Sequence, residues 1–210
     1  MLYSGDGADD VKARTLVALL GQINKTPFSS TLCAEEQLGY MVKTTPDATE
    51  DTLVRFQVFI QSTRSTDDIE ARITKFLDES LGKILRDLSD DEFAQHVQRL
   101  VSDLEQEPSF LGHEAQQHWA SILDGYYAFD GRAADIAQLR ATTKADLLDF
   151  YTRAIHSSSP TRRKLSVHIR PQALEPGTEG ERVTDIVAFK DALVAAPRAP
   201  PARPLGVAST

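Results

Sequence analysis

A single cysteine, Cys33, stands in a chain of 210 residues. One thiol cannot form an internal disulfide, so the fold must rest on packing, and a reducing, cytoplasmic interior suits it. Positive charge is also short: Lys and Arg number 23 against 31 Asp and Glu, a formal net charge of −8. A nucleic-acid binder would show a basic stripe, and an anionic membrane surface would repel this chain, so neither is expected as a partner. No apolar run approaches the length of a membrane span. Met1 to Gly7 lacks the basic-then-apolar pattern of a secretory signal, and Val207 to Thr210 is not a peroxisomal address. Phosphate-cradling glycine loops and a Gly-x-Ser-x-Gly nucleophile elbow are missing as well.

Histidine supplies no metal motif. The five are His96, His113, His118, His156 and His168. None belongs to a His-x-x-Glu-His helix, the arrangement that sets two imidazoles one turn apart around zinc with a glutamate to activate water. His113 and His118 are five apart, about 140° on an α-helix, which reads as two polar residues beside Trp119 rather than a ligand pair. His168 alternates outward on an expected strand and reads as a solvated side chain able to reach a peptide. Cys33 has no base near it in sequence and reads as a small apolar filler. Arg162, Arg163 and Lys164 read as a solvated strand end.

What is present is a regular alternation of helix and strand signals. Leu16, Leu19, Leu20 and Ile23 give one apolar helix face over Val11 to Asn24, and Pro27 predicts a break before the next helix. Phe28, Leu32 and Leu38 share a face, with Glu35 and Glu36 outside it, and Gly39 predicts a left-handed helix C-cap. Tyr40-Met41-Val42 opens a strand, Pro46-Asp47 marks a loop, and Leu53 to Gln61 alternates as the return strand. A tyrosine at such a helix–strand corner reads as half-buried, with its hydroxyl free to reach a partner. Ser65 caps a long helix bearing Ile69, Ile73, Phe76, Leu77, Ile84, Leu85 and Leu88. Ser89 to Glu92 is a capping box for a helix with Phe93, Val97, Leu100, Val101 and Leu104, stopped by Pro108. A further helix carries Trp119, Ile122, Leu123 and Tyr126. Gly131 to Arg140 is a short helix, and Thr143 caps a last one with Leu147, Phe150, Tyr151 and Ile155.

Lys164 to Ile169 is expected as a strand with Leu165, Val167 and Ile169 on one face. Its other face, Lys164, Ser166 and His168, is expected to join Arg55, Gln57 and Phe59 on an ordered, polar sheet surface. The order predicts an α+β domain over residues 1–170, a small antiparallel sheet with helices packed on one face. The Pro-rich stretch 171–210 lacks the composition for a core and is expected as a tail, with a short docking helix near 184–194. No repeat of fixed period is visible.

The run Glu36-Gln37-Leu38-Gly39-Tyr40, with its hairpin and Phe56 to Gln61, resembles the C-terminal domain of insulysin-like zinc metallopeptidases of the pitrilysin family. Further matches follow in order: Tyr127 to Asp130, Thr143 to Tyr151, Arg163 to His168 and, in the tail, Ile186 to Leu193. The resemblance implies one repeat of that fold, with the first strand incomplete because the chain begins inside it. It also implies that the outer sheet face lines a chamber, and that the domain is a non-zinc half enclosing peptide substrates. Catalytic zinc would lie on a partner N-terminal half or a homologous subunit, and none on this chain. Tyr40 matches the tyrosine that binds near the scissile carbonyl and stabilises the tetrahedral intermediate. The family has an arginine seven residues before that tyrosine, where this chain has Cys33, and a thiol lacks the charged fork of arginine. The alternative expectation is a stand-alone, non-catalytic peptide-binding or subunit-interaction module. A third is a truncated product without a role of its own.

Overall fold

The computed structural model describes residues 2–7, 11–47, 53–123, 129, 131–169, 185 and 187–188. Tyr126, Tyr127, Asp130 and most of 171–210, including Ile186, Phe189 and Leu193 of the expected docking helix, lie outside the described residues. So does the join between the expected domain and tail.

Four strands form one antiparallel sheet in the order β2-β3-β1-β4. They are β1 (Leu2–Gly7), β2 (Met41–Asp47), β3 (Leu53–Gln61) and β4 (Arg163–Leu165). The first strand, expected to be incomplete, spans Leu2–Gly7 and pairs with β3 and β4. Helix α1 (Val11–Ser29) lies across β2 and β3 and gives the core Leu16, Val17, Leu19, Leu20, Ile23 and Phe28, a larger share than any other element. Val54, Phe56 and Val58 of β3 meet it from the sheet, the expected half of the period-two alternation. The fold is α+β with its helices on one face of the sheet, as the order of elements predicts.

Pro27 does not break the helix. The chain continues through it into a π-helical turn, Ser30–Glu35. Proline removes one backbone donor and crowds the preceding turn, a cost of about 3 kcal/mol in a helix interior. Phe28 and Leu32 have no exposed surface, and Phe28 packs edge-on against Phe76 with ring centroids 5.1 Å apart. That burial after Pro27, together with buried Ile23 before it, holds the segment helical, and the wider turn absorbs the local mismatch.

The three expected N-caps are formed. Ser65 accepts from the Asp68 N–H ahead of α2 (Thr66–Lys75). Ser89 and Glu92 close a reciprocal box on α4 (Asp90–Glu105), and Thr143 and Asp146 close one on α7 (Lys144–Phe150). Lys12 adds an ion pair to Asp146, and these contacts hold that carboxyl well below the usual carboxylate range. Between α2 and α3 (Gly82–Asp87) the chain widens into a π-helical stretch, Phe76–Leu81, and α7 ends in another, Tyr151–Ile155. The remaining helices are α5 (Leu111–Leu123) and α6 (Gly131–Ala141), the latter tied to α1 by Arg14–Asp135.

Tyr151 joins two of these wide stretches. It is buried, and its hydroxyl donates to the carbonyls of Leu77 at 2.8 Å and Asp78 at 3.1 Å. Burial, and then the Asp78 carboxylate, pushes the phenol from 10.0 up to about 12. The folded value lies above the unfolded one, so its contribution is complete below pH 10 and is lost as pH rises toward 12. Tyr151→Phe is expected to lower stability by about 1–2 kcal/mol in urea unfolding and to flatten that alkaline loss. An unchanged unfolding midpoint would show that the two carbonyls need no such donor.

The segment after β4 corrects an expectation. Strand pairing covers Arg163–Leu165 only. Register places Leu165 opposite Leu2, and Leu2 opposite Gln57, so Leu165 shares the outer face with Gln57. Leu165, Val167 and Ile169 are 56%, 68% and 89% exposed. Lys164, Ser166 and His168 turn instead to the helix side, where all three meet Glu70 of α2. His168 Nε2 lies 2.9 Å from Glu70 Oε2, so it is partnered rather than merely solvated. One carboxylate gathering three polar side chains outweighs the apolar preference of their neighbours. The outer face is therefore more apolar than expected, with Met41 and Phe59 exposed and Lys43 lying 5.3 Å from the Phe59 ring centroid.

Candidate functional site

The corner between the Ser30–Glu35 turn and β2 is built by its backbone. Leu32 and Leu38 are fully buried and pin both sides, and the Leu38 N–H donates to the Leu32 carbonyl at 2.8 Å. The left-handed residue that ends the helix is Gln37, with φ 49°. Gly39, expected in that role, serves another purpose. A Cβ on Gly39 would stand 2.3 Å from the Gln61 carbonyl oxygen. Glycine is needed there because two backbones meet, and it lets the Tyr40 N–H donate to the same Gln61 oxygen at 2.8 Å.

Tyr40 is thus fixed through its main chain, while its side chain is 81% exposed. This corrects the half-buried tyrosine expected at the corner: the buried wedge is Leu38, and the next residues point away from it. Cys33 is half-buried, and its thiol donates weakly to the Gly39 carbonyl at 3.7 Å. It is a wall residue rather than a core filler. Cys33 and Tyr40 line one open pocket of about 300 Å³.

Ser62, Thr63 and Arg64, which sequence reasoning missed, complete that pocket. Ser62 Oγ donates to the Leu38 carbonyl and accepts from the Arg64 N–H at 3.0 Å. Arg64 Nη2 reaches the Glu36 carbonyl at 3.1 Å, and Arg72 Nε holds the Glu36 carboxylate at 2.8 Å. The available signal was the hairpin itself. Pairing Met41 with Gln61 brings the residues after Gln61 alongside Tyr40.

His113 and His118 are exposed on α5, and each sits near an aromatic ring, Phe110 and Phe129 respectively. Trp119 is 59% exposed, not part of a buried stripe. Among the described residues no three His, Cys, Asp or Glu side chains converge as a metal-ligand set, so the donors described do not fit a zinc centre. Among the same residues no helix is long and apolar enough to cross a membrane.

A family model described as the PQQ synthase PqqF-like C-terminal lobe domain 4 matches residues 19–119. Insulin-degrading enzyme of Homo sapiens is 30% identical over 174 residues, covering 83% of this chain and 17% of that protein. This chain carries a C-terminal domain of the insulysin and pitrilysin peptidase family. Within that family, the A-factor-processing enzyme of Saccharomyces cerevisiae is 30% identical over 202 residues, covering 90% of this chain and 19% of its own length. The crystal structure of pitrilysin superposes with a TM-score of 0.63 at 29% identity, over 73% of this chain and 17% of that one. The insulysin-type domain described here therefore spans less than a fifth of the length of these relatives.

Proposed function

We propose that this domain forms part of the wall of a peptide-binding chamber in an insulysin-like metalloendopeptidase. Residues 1–170 make up the domain, and the catalytic zinc belongs to the remainder of the enzyme. The observation that carries the reading is Tyr40, whose backbone is locked to the end of β3 while its phenol stands exposed at a pocket. A donor fixed in this way is suited to a peptide carbonyl as negative charge develops on its oxygen. The exposed side chains of Phe110, Leu111 and Trp119 support the same reading, since such apolar surface suits burial against further polypeptide.

The test is a domain exchange. The matching region of human insulin-degrading enzyme is replaced with this chain, and hydrolysis of a quenched fluorogenic peptide is compared with an enzyme lacking the region. Restored turnover supports the proposal. A folded chimera no faster than the deletion overturns it. If the chain then binds peptide alone, the stand-alone interaction module is favoured. The isolated chain is expected to cleave no such peptide and to keep no zinc through dialysis. Stoichiometric zinc with chelator-sensitive turnover would reverse that expectation.

A further inference from the structure

We propose that Arg64 is a second peptide-binding side chain at this corner, a backbone-carbonyl donor acting beside Tyr40. The inference rests on the proposal that the Tyr40 pocket holds extended peptide. Among the described residues that line the pocket, Arg64 carries the one positive charge. Its guanidinium is held at two points, by Nη2 on the Glu36 carbonyl at 3.1 Å and by Nη1 on Asp68 Oδ2 at 3.3 Å. Its backbone is held by Ser62 Oγ. A guanidinium has five N–H donors in a planar fork, so these two contacts orient it without exhausting it.

The anchors also select the ligand. Asp68 already offsets the charge of Arg64, so a second carboxylate gains little there, whereas a neutral carbonyl still accepts a charge-assisted hydrogen bond. The ligand class is therefore extended peptide recognised by its main chain, with little demand on side-chain charge. On the facing wall the Cys33 thiol is a weak donor directed to the Gly39 carbonyl. The charged donor of the pocket comes from the turn after β3, not from the helix.

The experiment uses the 210-residue chain. A pentapeptide of neutral residues, acetylated and amidated at its ends, is titrated to millimolar concentration, and backbone amide NMR shifts are followed at Gly39, Tyr40, Ser62 and Thr63. Arg64→Gln is expected to weaken binding about tenfold or more, with Arg64→Lys intermediate. Adding Cys33→Arg to Arg64→Gln is expected to restore binding, since it returns a guanidinium to the same pocket. A scaffolding role would not be rescued in this way. Thermal melts confirm that each variant is folded. Unchanged binding in folded Arg64→Gln overturns the role of Arg64 and leaves the pocket standing. Lost binding without rescue in the folded double variant assigns the effect to scaffolding and overturns it too. No shift in the unsubstituted chain overturns both this inference and the reading beneath it.

Discussion

Tyr40→Phe, made in the chimera with human insulin-degrading enzyme, is expected to lower kcat on the order of 10²–10³-fold while KM changes little. The substitution removes one oxygen from a side chain that is 81% exposed. The Tyr40 N–H still donates to Gln61, and Leu38 stays buried, so the corner keeps its shape. What is lost is a donor that matters most when the peptide carbonyl becomes an oxyanion, and such a loss falls on kcat. The melting temperature is expected to stay within about a degree, because the change touches no buried contact. An unchanged kcat with folding intact would leave Tyr40 as part of the architecture only.

Gly39→Ala is expected to damage both the fold and the site. The added methyl would stand 2.3 Å from the Gln61 carbonyl oxygen and 3.0 Å from its carbon. Those are backbone atoms, so no side-chain rotation relieves the clash. Either the corner opens or the end of β3 shifts. Overpacking of this kind costs about 1–3 kcal/mol. For a chain of this size that lowers the melting temperature by roughly 3–10 °C. Moving Gln61 also releases the Tyr40 N–H, so kcat falls with stability. Tyr40→Phe should spare the melt and Gly39→Ala should not. A Gly39→Ala protein that melts like the parent would show that the two backbones have room to part.

Much of this domain was legible in the sequence because it depends on short-range patterns. Ser65, Ser89–Glu92 and Thr143–Asp146 cap their helices because hydroxyl and carboxylate side chains satisfy first-turn donors wherever that spacing precedes a helix. Val54, Phe56 and Val58 turn inward because a strand alternates with period two. Phe28, Leu32 and Leu38 share the core, as their spacing and apolar character indicated. The same rules failed where a local preference met a stronger distant partner. Pro27 signals a break, yet the burial of Phe28 and Leu32 carries the helix through it. Leu165, Val167 and Ile169 look like an inward face, yet Glu70, some ninety residues earlier, draws Lys164, Ser166 and His168 to that side.

The candidate site divides in the same way. The sequence alone determined that a helix meets a strand near Gly39, that Tyr40 stands at that junction, and that Cys33 precedes it in place of the arginine implied by the resemblance. The first two depend on residue type and spacing along one stretch of chain, and the third on the resemblance. Only the tertiary structure decided that Gln37 takes the left-handed turn and that Gly39 makes room for Gln61. It also decided that Tyr40 is exposed and that Arg64 shares its pocket. Those outcomes depend on the register of the β2–β3 hairpin, whose outermost pair, Met41 with Gln61, brings the residues after Gln61 beside Tyr40. A main-chain contact such as Tyr40 N–H to the Gln61 carbonyl uses atoms common to every residue, so residue identity at the two positions does not reveal it.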